Sequence, residues 1–344
     1  MWPLAAAVGY HDPELVARVN ALQPGWVAGR NEYFADLSLE SVRRMMGGRE
    51  DAAPSLQDHP AITPTVEEPD TPPPSRFDAR ERWPHCPLIG AIRDQGECGS
   101  CWAFASTTAF NDRLCISNPS LANVTLSVEA TLACGSTAEP TLLHGCDGGA
   151  SAPAWDYFYT TGVPSWDCMP YEPRPCPQPG YGHNPCWGPP LPGANSSGHQ
   201  TPNCSATCVD GSAPKRYRTA GPPYILPTDA AIMAELRAHG PVSALMDVYD
   251  DFLHYTSGVY SRTTPSKLMG THLVRLLGWG VEGGTPFWLC ANEWSTSWGE
   301  RGFFRILRGA DNGARFPYQP CGGLVRAVAT AHVSTRVAFT SERQ

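Results

Sequence analysis

Two cysteines close together, with a histidine and an asparagine far downstream, are the residues of this chain best suited to do chemistry. The run Gln95-Gly96-Glu97-Cys98-Gly99-Ser100-Cys101-Trp102 leads into Cys101–Cys115, a largely apolar stretch that reads as a well-buried helix. Cys101 would open that helix. A helix N-terminus carries partial positive charge, which favours a thiolate and predicts a lowered thiol pKa there. Only the thiolate is a strong nucleophile. Gln95 can offer its side-chain amide to an oxyanion, beside the backbone N–H of Cys101. Two plainer readings compete at this point: a Cys98-x-x-Cys101 redox pair, or two structural cysteines. Downstream, Gly270-Thr271-His272 places a histidine at the start of an apolar strand, and Phe287–Ala291 leads into Asn292-Glu293-Trp294. A histidine can take the thiol proton and later protonate a leaving amine, while an asparagine fixes the ring through its other nitrogen. Trp294 would keep water from that second bond, which water weakens.

Local signals place these residues on elements. Asp12 before Pro13–Val19 reads as an N-cap with proline in the first turn. Leu37–Met46 reads as a second helix, stopped at Gly47-Gly48. Residues 48–75 are polar, acidic and proline-rich, a linker composition, so the beginning of the chain reads as a small helical unit on an exposed tether. A disordered tail is the alternative. Acidic residues Glu50, Asp51, Asp58, Glu67, Glu68 and Asp70 raise the expectation that low pH loosens this linker, although such a run is commonly just solvated. Ile232–Leu236 reads as a short helix ended by Gly240-Pro241. Val242–Val248, His272–Trp279, Phe287–Ala291 and Gly302–Leu307 read as strands. A helical part followed by a strand-rich part is an α+β arrangement.

Composition narrows the class. Hydrophobic residues make 42% of the 344, and charged residues 17%, which argues against disorder over most of the chain. The net charge is −8, with no basic stripe, so nucleic acid is not an expected partner. No apolar stretch is long enough to span a bilayer. Thirteen cysteines among proline- and glycine-rich loops point to a disulfide framework in an oxidising compartment. The sequons at Asn123, Asn195 and Asn203 agree with the secretory route. An odd cysteine count leaves at least one thiol unpaired.

The motifs together resemble the papain family, and within it cathepsin B. Cys98-Gly99-Ser100-Cys101-Trp102 matches the signature around the papain and cathepsin nucleophile. Trp26-Val27-Ala28-Gly29-Arg30-Asn31-Glu32-Tyr33 looks like the short cathepsin B propeptide, and Phe77–Cys86 like that group's mature N-terminus. Gly145-Cys146-Asp147-Gly148-Gly149 looks like the glycine wall that pairs with substrate backbone. The resemblance implies a papain-like two-domain fold, with a helical left domain, a β-barrel-like right domain and the cleft between them. Its parts would be a signal remnant at 1–9, a propeptide and linker at 10–74, the peptidase domain at 75–335 and a tail at 336–344. The helical half would span 86–220, including an occluding-loop-like insert at 168–208, and the strand-rich half 221–335. Implied roles are Cys101, His272, Asn292 and Gln95 in catalysis, and Gly148, Gly149, Trp294, Arg326 and His183 in substrate binding. Implied disulfides are Cys86–Cys115, Cys98–Cys146, Cys134–Cys204, Cys168–Cys208 and Cys176–Cys186. Gly135 stands where a further family bridge has a cysteine.

What this implies is a lysosomal, endosomal or secreted cysteine endopeptidase made as a zymogen, acting through a thioester. Its expected partners are peptide or protein substrates, its own propeptide as inhibitor, and cystatin-like inhibitors. A monomer with neither cofactor nor metal is expected. The chain also departs from the pattern. Gln178-Pro179 replace the paired histidines of the occluding loop, so weak or absent dipeptidyl-carboxypeptidase activity is expected. His183 and the retained anchor Asp94 remain. Arg326 stands at the second-pocket position, which predicts an apolar or acidic preference there. Glu293 replaces a serine and is expected to point to solvent, and Thr271 replaces a common glycine. A catalytically weak or inactive binding protein of the same fold is the alternative function.

Overall fold

The computed structural model describes residues 10–22, 25–35, 37–49, 73–171, 201–226, 228–263 and 266–309, and the backbone of 325–330. The fold is built on a nine-stranded sheet and one long buried helix. That helix, Cys101–Ser117, is apolar on nearly every side, so it is covered from every side. Its buried Arg113 is matched by Glu235 at 2.7 Å. Its buried Asp112 accepts from Arg275 at 2.7 Å. A second helix, Ser151–Thr160, packs beside it through Trp155 and Phe158.

Helix α1 (Pro13–Leu22) begins as the sequence predicts, with Asp12 Oδ1 accepting from the Leu15 amide at 2.9 Å. Helix α2 (Leu39–Arg44) is capped by Ser38. Between them lies strand β1 (Trp26–Ala28). The N-terminal unit is therefore not only helical and tethered. β1 pairs antiparallel with β2 (Tyr255–Tyr260), at the edge of the main sheet. Leu15, Val19, Trp26, Phe34, Val42 and Met45 join the same core as the sheet.

Strand β3 (Leu268–Glu282) is the spine of the sheet, longer than the predicted His272–Trp279. It pairs antiparallel with Val242–Tyr249 on one side and with Thr285–Ala291 on the other. Alternation along a strand sends neighbours to opposite faces. Leu273 faces the core around the long helix, while Val274 and Leu276 face the sheet's own core. The predicted helix at Ile232–Leu236 extends over Asp229–His239 and ends at Gly240, whose φ of 96° requires glycine. Helical and strand-rich parts thus meet across one wall. The N-terminal unit covers the seam.

Candidate active site

Cys101 is the first residue of the long helix and His272 lies inside β3, on the facing wall. Both are fully buried. His272 Nε2 is 2.9 Å from Asn292 Oδ1, and the same oxygen accepts from the Glu293 amide at 2.9 Å. Asn292 follows the strand Thr285–Ala291, and its amide donates to the Gly302 carbonyl, so its side chain projects from a fixed backbone. Trp294 lies over the imidazole with ring centroids 4.7 Å apart, and is itself buried. A nitrogen of His272, the Cys101 sulfur and a Glu293 carboxylate oxygen lie within 4.8 Å of one another.

Cys98 is bonded to Cys146, which removes the redox-pair reading of Cys98 and Cys101. Cys86–Cys115, Cys134–Cys204 and Cys168–Cys208 are also present. Cys176–Cys186 falls outside the described residues, as do Gln178, Pro179, His183, Asn195 and the acidic linker. Arg326 belongs to the strand Val325–Thr330, but its side chain is not among those described. Asn123 and Asn203 are exposed. Cys101 and Cys290 are the free cysteines among the described residues. Cys290 sits in the sheet core, where burial pushes its thiol up.

The N-terminal unit runs through the cleft. Gly48 donates to the Thr271 carbonyl at 2.9 Å, and the Thr271 hydroxyl donates to the Gly48 carbonyl. Gly149 donates to the Gly47 carbonyl at 2.9 Å, and Arg49 donates to the Gly149 carbonyl at 3.1 Å. Gly149 thus pairs through its backbone with the covering segment. A Cβ on it would lie 2.8 Å from the Trp102 ring. Gly148 precedes it at a φ of 111°. Gln95 donates its side-chain amide to the Met45 carbonyl at 3.0 Å and to the Cys98 carbonyl at 2.7 Å. The donor expected to serve an oxyanion is thus occupied by a carbonyl of the covering segment.

This cover reverses one expectation. Burial first, and the neighbouring Glu293 carboxyl second, push the Cys101 thiol up to about 12. The amides of Leu273, Gly47 and Trp102 pull the other way without prevailing. Burial also lowers His272 to about 4. A thiol beside a neutral imidazole is therefore the resting state under this cover, not the lowered thiol predicted from the helix terminus. Desolvation of an ion disfavours it more than a helix end favours it.

Two more residues differ from their expected roles. Glu293 turns inward, is 4% exposed, and places Oε1 at 3.3 Å from His272 Nε2. Asp94, expected to anchor the insert, accepts instead from the Tyr33 hydroxyl at 2.8 Å and from the Gly96 amide at 2.9 Å. Burial raises its carboxyl to about 6.

A buried thiol and an imidazole–amide pair on facing walls, covered by the chain's own N-terminal segment, define a thiol peptidase held as a proenzyme. Comparison with known proteins gives the family. Residues 73–323 match the family model described as papain family cysteine protease, and residues 11–52 match that of the peptidase family C1 propeptide. Cathepsin B-like cysteine proteinase 4 of Caenorhabditis elegans is 38% identical over 309 residues, covering 85% of this chain and 86% of that protein. The cathepsin B-like cysteine proteinase of Schistosoma japonicum is 36% identical, covering 83% of each. The solved proCathepsin B S9 from Trypanosoma congolense superposes with a TM-score of 0.76 at 29% identity, covering 94% of this chain and 98% of that one. The chain belongs to the papain family of cysteine proteases and is a cathepsin B-like peptidase made as a proenzyme.

Proposed function

We propose that the processed chain is an endopeptidase in which Cys101 is the nucleophile and His272 the proton carrier. Asn292 holds the His272 ring, and Gln95 with the Cys101 amide receives the oxyanion. The carrying observation is the 2.9 Å bond from His272 to Asn292, facing the free Cys101 thiol beneath a segment that already occupies the cleft. Residues 10–74 act as propeptide and linker, and residues 75–335 as the peptidase. The covering segment inhibits by filling the cleft, and its departure restores water to the sulfur and the ring. The thiol proton then passes to His272. The thiolate attacks the substrate carbonyl carbon, forming the carbon–sulfur bond. The oxygen of the tetrahedral adduct gains the negative charge, and the Gln95 amide donates to it in place of Met45. His272 returns its proton to the leaving amine as the carbon–nitrogen bond breaks. Water, deprotonated by His272, then hydrolyses the thioester and regenerates the thiol.

Gly149 would pair with substrate backbone through the groups that now hold Gly47 and Arg49. With Gln178-Pro179 in place of a histidine pair, the free carboxylate of a substrate loses that paired partner, so dipeptidyl-carboxypeptidase activity is reduced. Arg326 turns the second pocket toward apolar or acidic side chains. The disulfides and the sequons Asn123, Asn195 and Asn203 fit passage through the secretory pathway to a lysosomal, endosomal or extracellular site. A cleavage profile of the acid-processed chain on matched peptide acids and amides tests this reading. Internal cleavage with no preference for the free acid is expected. A strong free-acid preference overturns the endopeptidase assignment. Absence of both cleavage and labelling of Cys101 by an epoxide-type thiol reagent overturns the enzyme reading in favour of a binding protein.

A further inference from the structure

Glu293 is the residue of this site that the family pattern does not account for. Its carboxylate lies 3.3 Å from His272 Nε2, and that oxygen has no hydrogen-bond partner among the described residues. The same ring nitrogen is 2.9 Å from Asn292 Oδ1. One N–H therefore faces two oxygen acceptors, one neutral and one able to carry charge. The backbone around Glu293 is pinned on both sides. Its amide donates to Asn292 Oδ1, and its carbonyl accepts from the Gln95 amide at 2.9 Å. The groups facing Glu293 are His272 and Arg275 from β3, Cys101 from the long helix, Arg93 from the loop before Asp94, and Tyr33 from the propeptide. Arg275 is shared with Asp112, and Tyr33 with Asp94.

We propose that Glu293 is a positioning residue acting through His272, a second and chargeable acceptor at Nε2 that moves the working pH of the processed enzyme upward. This rests on the catalytic roles proposed above. When the thiol proton moves to the ring, positive charge forms beside the carboxylate and negative charge forms on sulfur. A carboxylate anion stabilises the imidazolium and opposes the thiolate, so it delays loss of both protons to higher pH. The two limbs of a bell-shaped rate profile report those two losses. Under the propeptide, burial holds the Glu293 carboxyl well above the ordinary carboxylate range, as it raises the Cys101 thiol and lowers His272, so burial disfavours the charged form of all three groups. Water returning with activation lets the carboxyl ionise and couples three titrations in one site.

The test is the pH profile of kcat/KM for the processed full chain, wild type against Glu293→Gln. Both limbs are expected to move to lower pH by about one unit, because a nearby charge shifts a partner by roughly that much or more. Activity at the new optimum should fall by less than about tenfold. Glu293→Ser, the residue of the family pattern, supplies the same test if the glutamine variant does not fold. Glu293→Asp keeps the charge and should restore part of the wild-type position. A double-mutant cycle adds a second readout. Asn292→Ala alone should lose less activity than Asn292→Ala measured in a Glu293→Ala background, since in the single variant the Glu293 acceptor still holds the ring. An unmoved profile in the glutamine or serine variant, or additive losses in the cycle, overturns the proposal. Wild-type enzyme that neither cleaves peptides nor reacts at Cys101 instead overturns the catalytic reading on which it rests.

Discussion

The propeptide touches the peptidase in two different ways. Its platform adds anchoring side chains to the β1 pairing. Trp26 is buried and donates its indole N–H to the Ser261 carbonyl at 2.9 Å. Asn31 donates to the carbonyls of Leu253 and Tyr255 at 2.8 and 2.9 Å, and accepts from the Gly299 amide at 3.1 Å. Phe34 meets Trp294 edge-on with centroids 5.4 Å apart. The cleft crossing, by contrast, hydrogen-bonds through backbone groups of the propeptide. Gly47 and Gly48 pair with Gly149 and Thr271, and a Cβ on Gly47 would lie 1.8 Å from the Gly99 carbonyl oxygen. Specific side chains thus hold the segment, while near-featureless backbone covers the thiol. Holding and covering are separable functions, because one depends on apolar burial and satisfied polar groups and the other on close approach.

Breaking the platform should have the largest effect. Trp26→Ala removes a buried indole and should weaken docking by about 3–5 kcal/mol. Alkylation of Cys101 in the unprocessed chain should then accelerate at least ~100-fold at neutral pH, since about 1.4 kcal/mol is tenfold. Asn31→Ala comes next. It leaves two buried carbonyls and one amide without partners, at about 1–3 kcal/mol or more. The expected gain in alkylation rate is roughly 30-fold, read in the same assay. Gly47→Ala sharpens the contrast. The crossing must shift away from Gly99, so Cys101 should label about tenfold faster while the thermal midpoint of the zymogen stays close to wild type. A Gly47→Ala zymogen that unfolds as early as Trp26→Ala would erase the distinction between holding and covering.

The smallest effect concerns pH. His254 stacks on Tyr10 and meets His11 edge-on, both at 5.4 Å between centroids. Burial first, and His11 second, lower the His254 pKa, with Asp12 and Asp250 opposing. A histidine lowered in the docked state stabilises docking fully above its free value of about 6.5, and that stabilisation is lost as pH falls toward the docked value. Acid should therefore loosen this corner. His254→Gln should flatten the rise in Cys101 alkylation between neutral and mildly acidic pH by a few-fold. An unchanged rise would place the acid response elsewhere. Asp94 cannot supply it, because its raised pKa makes the docked state relatively more favourable as pH falls through about 6.

Much of the site was legible because its signals are local. Asp12 and Pro13 announce α1, Gly240 ends the helix before it, and the residues flanking Cys101, His272 and Asn292 carry the family pattern in order. Strand β1 was not legible. Three residues show no periodicity, and its pairing partners lie more than two hundred positions away. The inward turn of Glu293 was also hidden. An isolated carboxylate beside an asparagine is ordinarily solvated, and only the wall formed with His272, Arg275 and Gln95 removes water from it.

The sequence by itself determined the family, and it put Cys101, His272 and Asn292 in the family's order, because residue types and flanking motifs specify reaction chemistry. Tertiary structure decided the state of that chemistry. Met45–Gly48 returns from far upstream to cover Cys101, takes the Gln95 amide, and excludes the water that ions need. Helix position argues for a thiolate, but desolvation by a distant segment decides for a thiol.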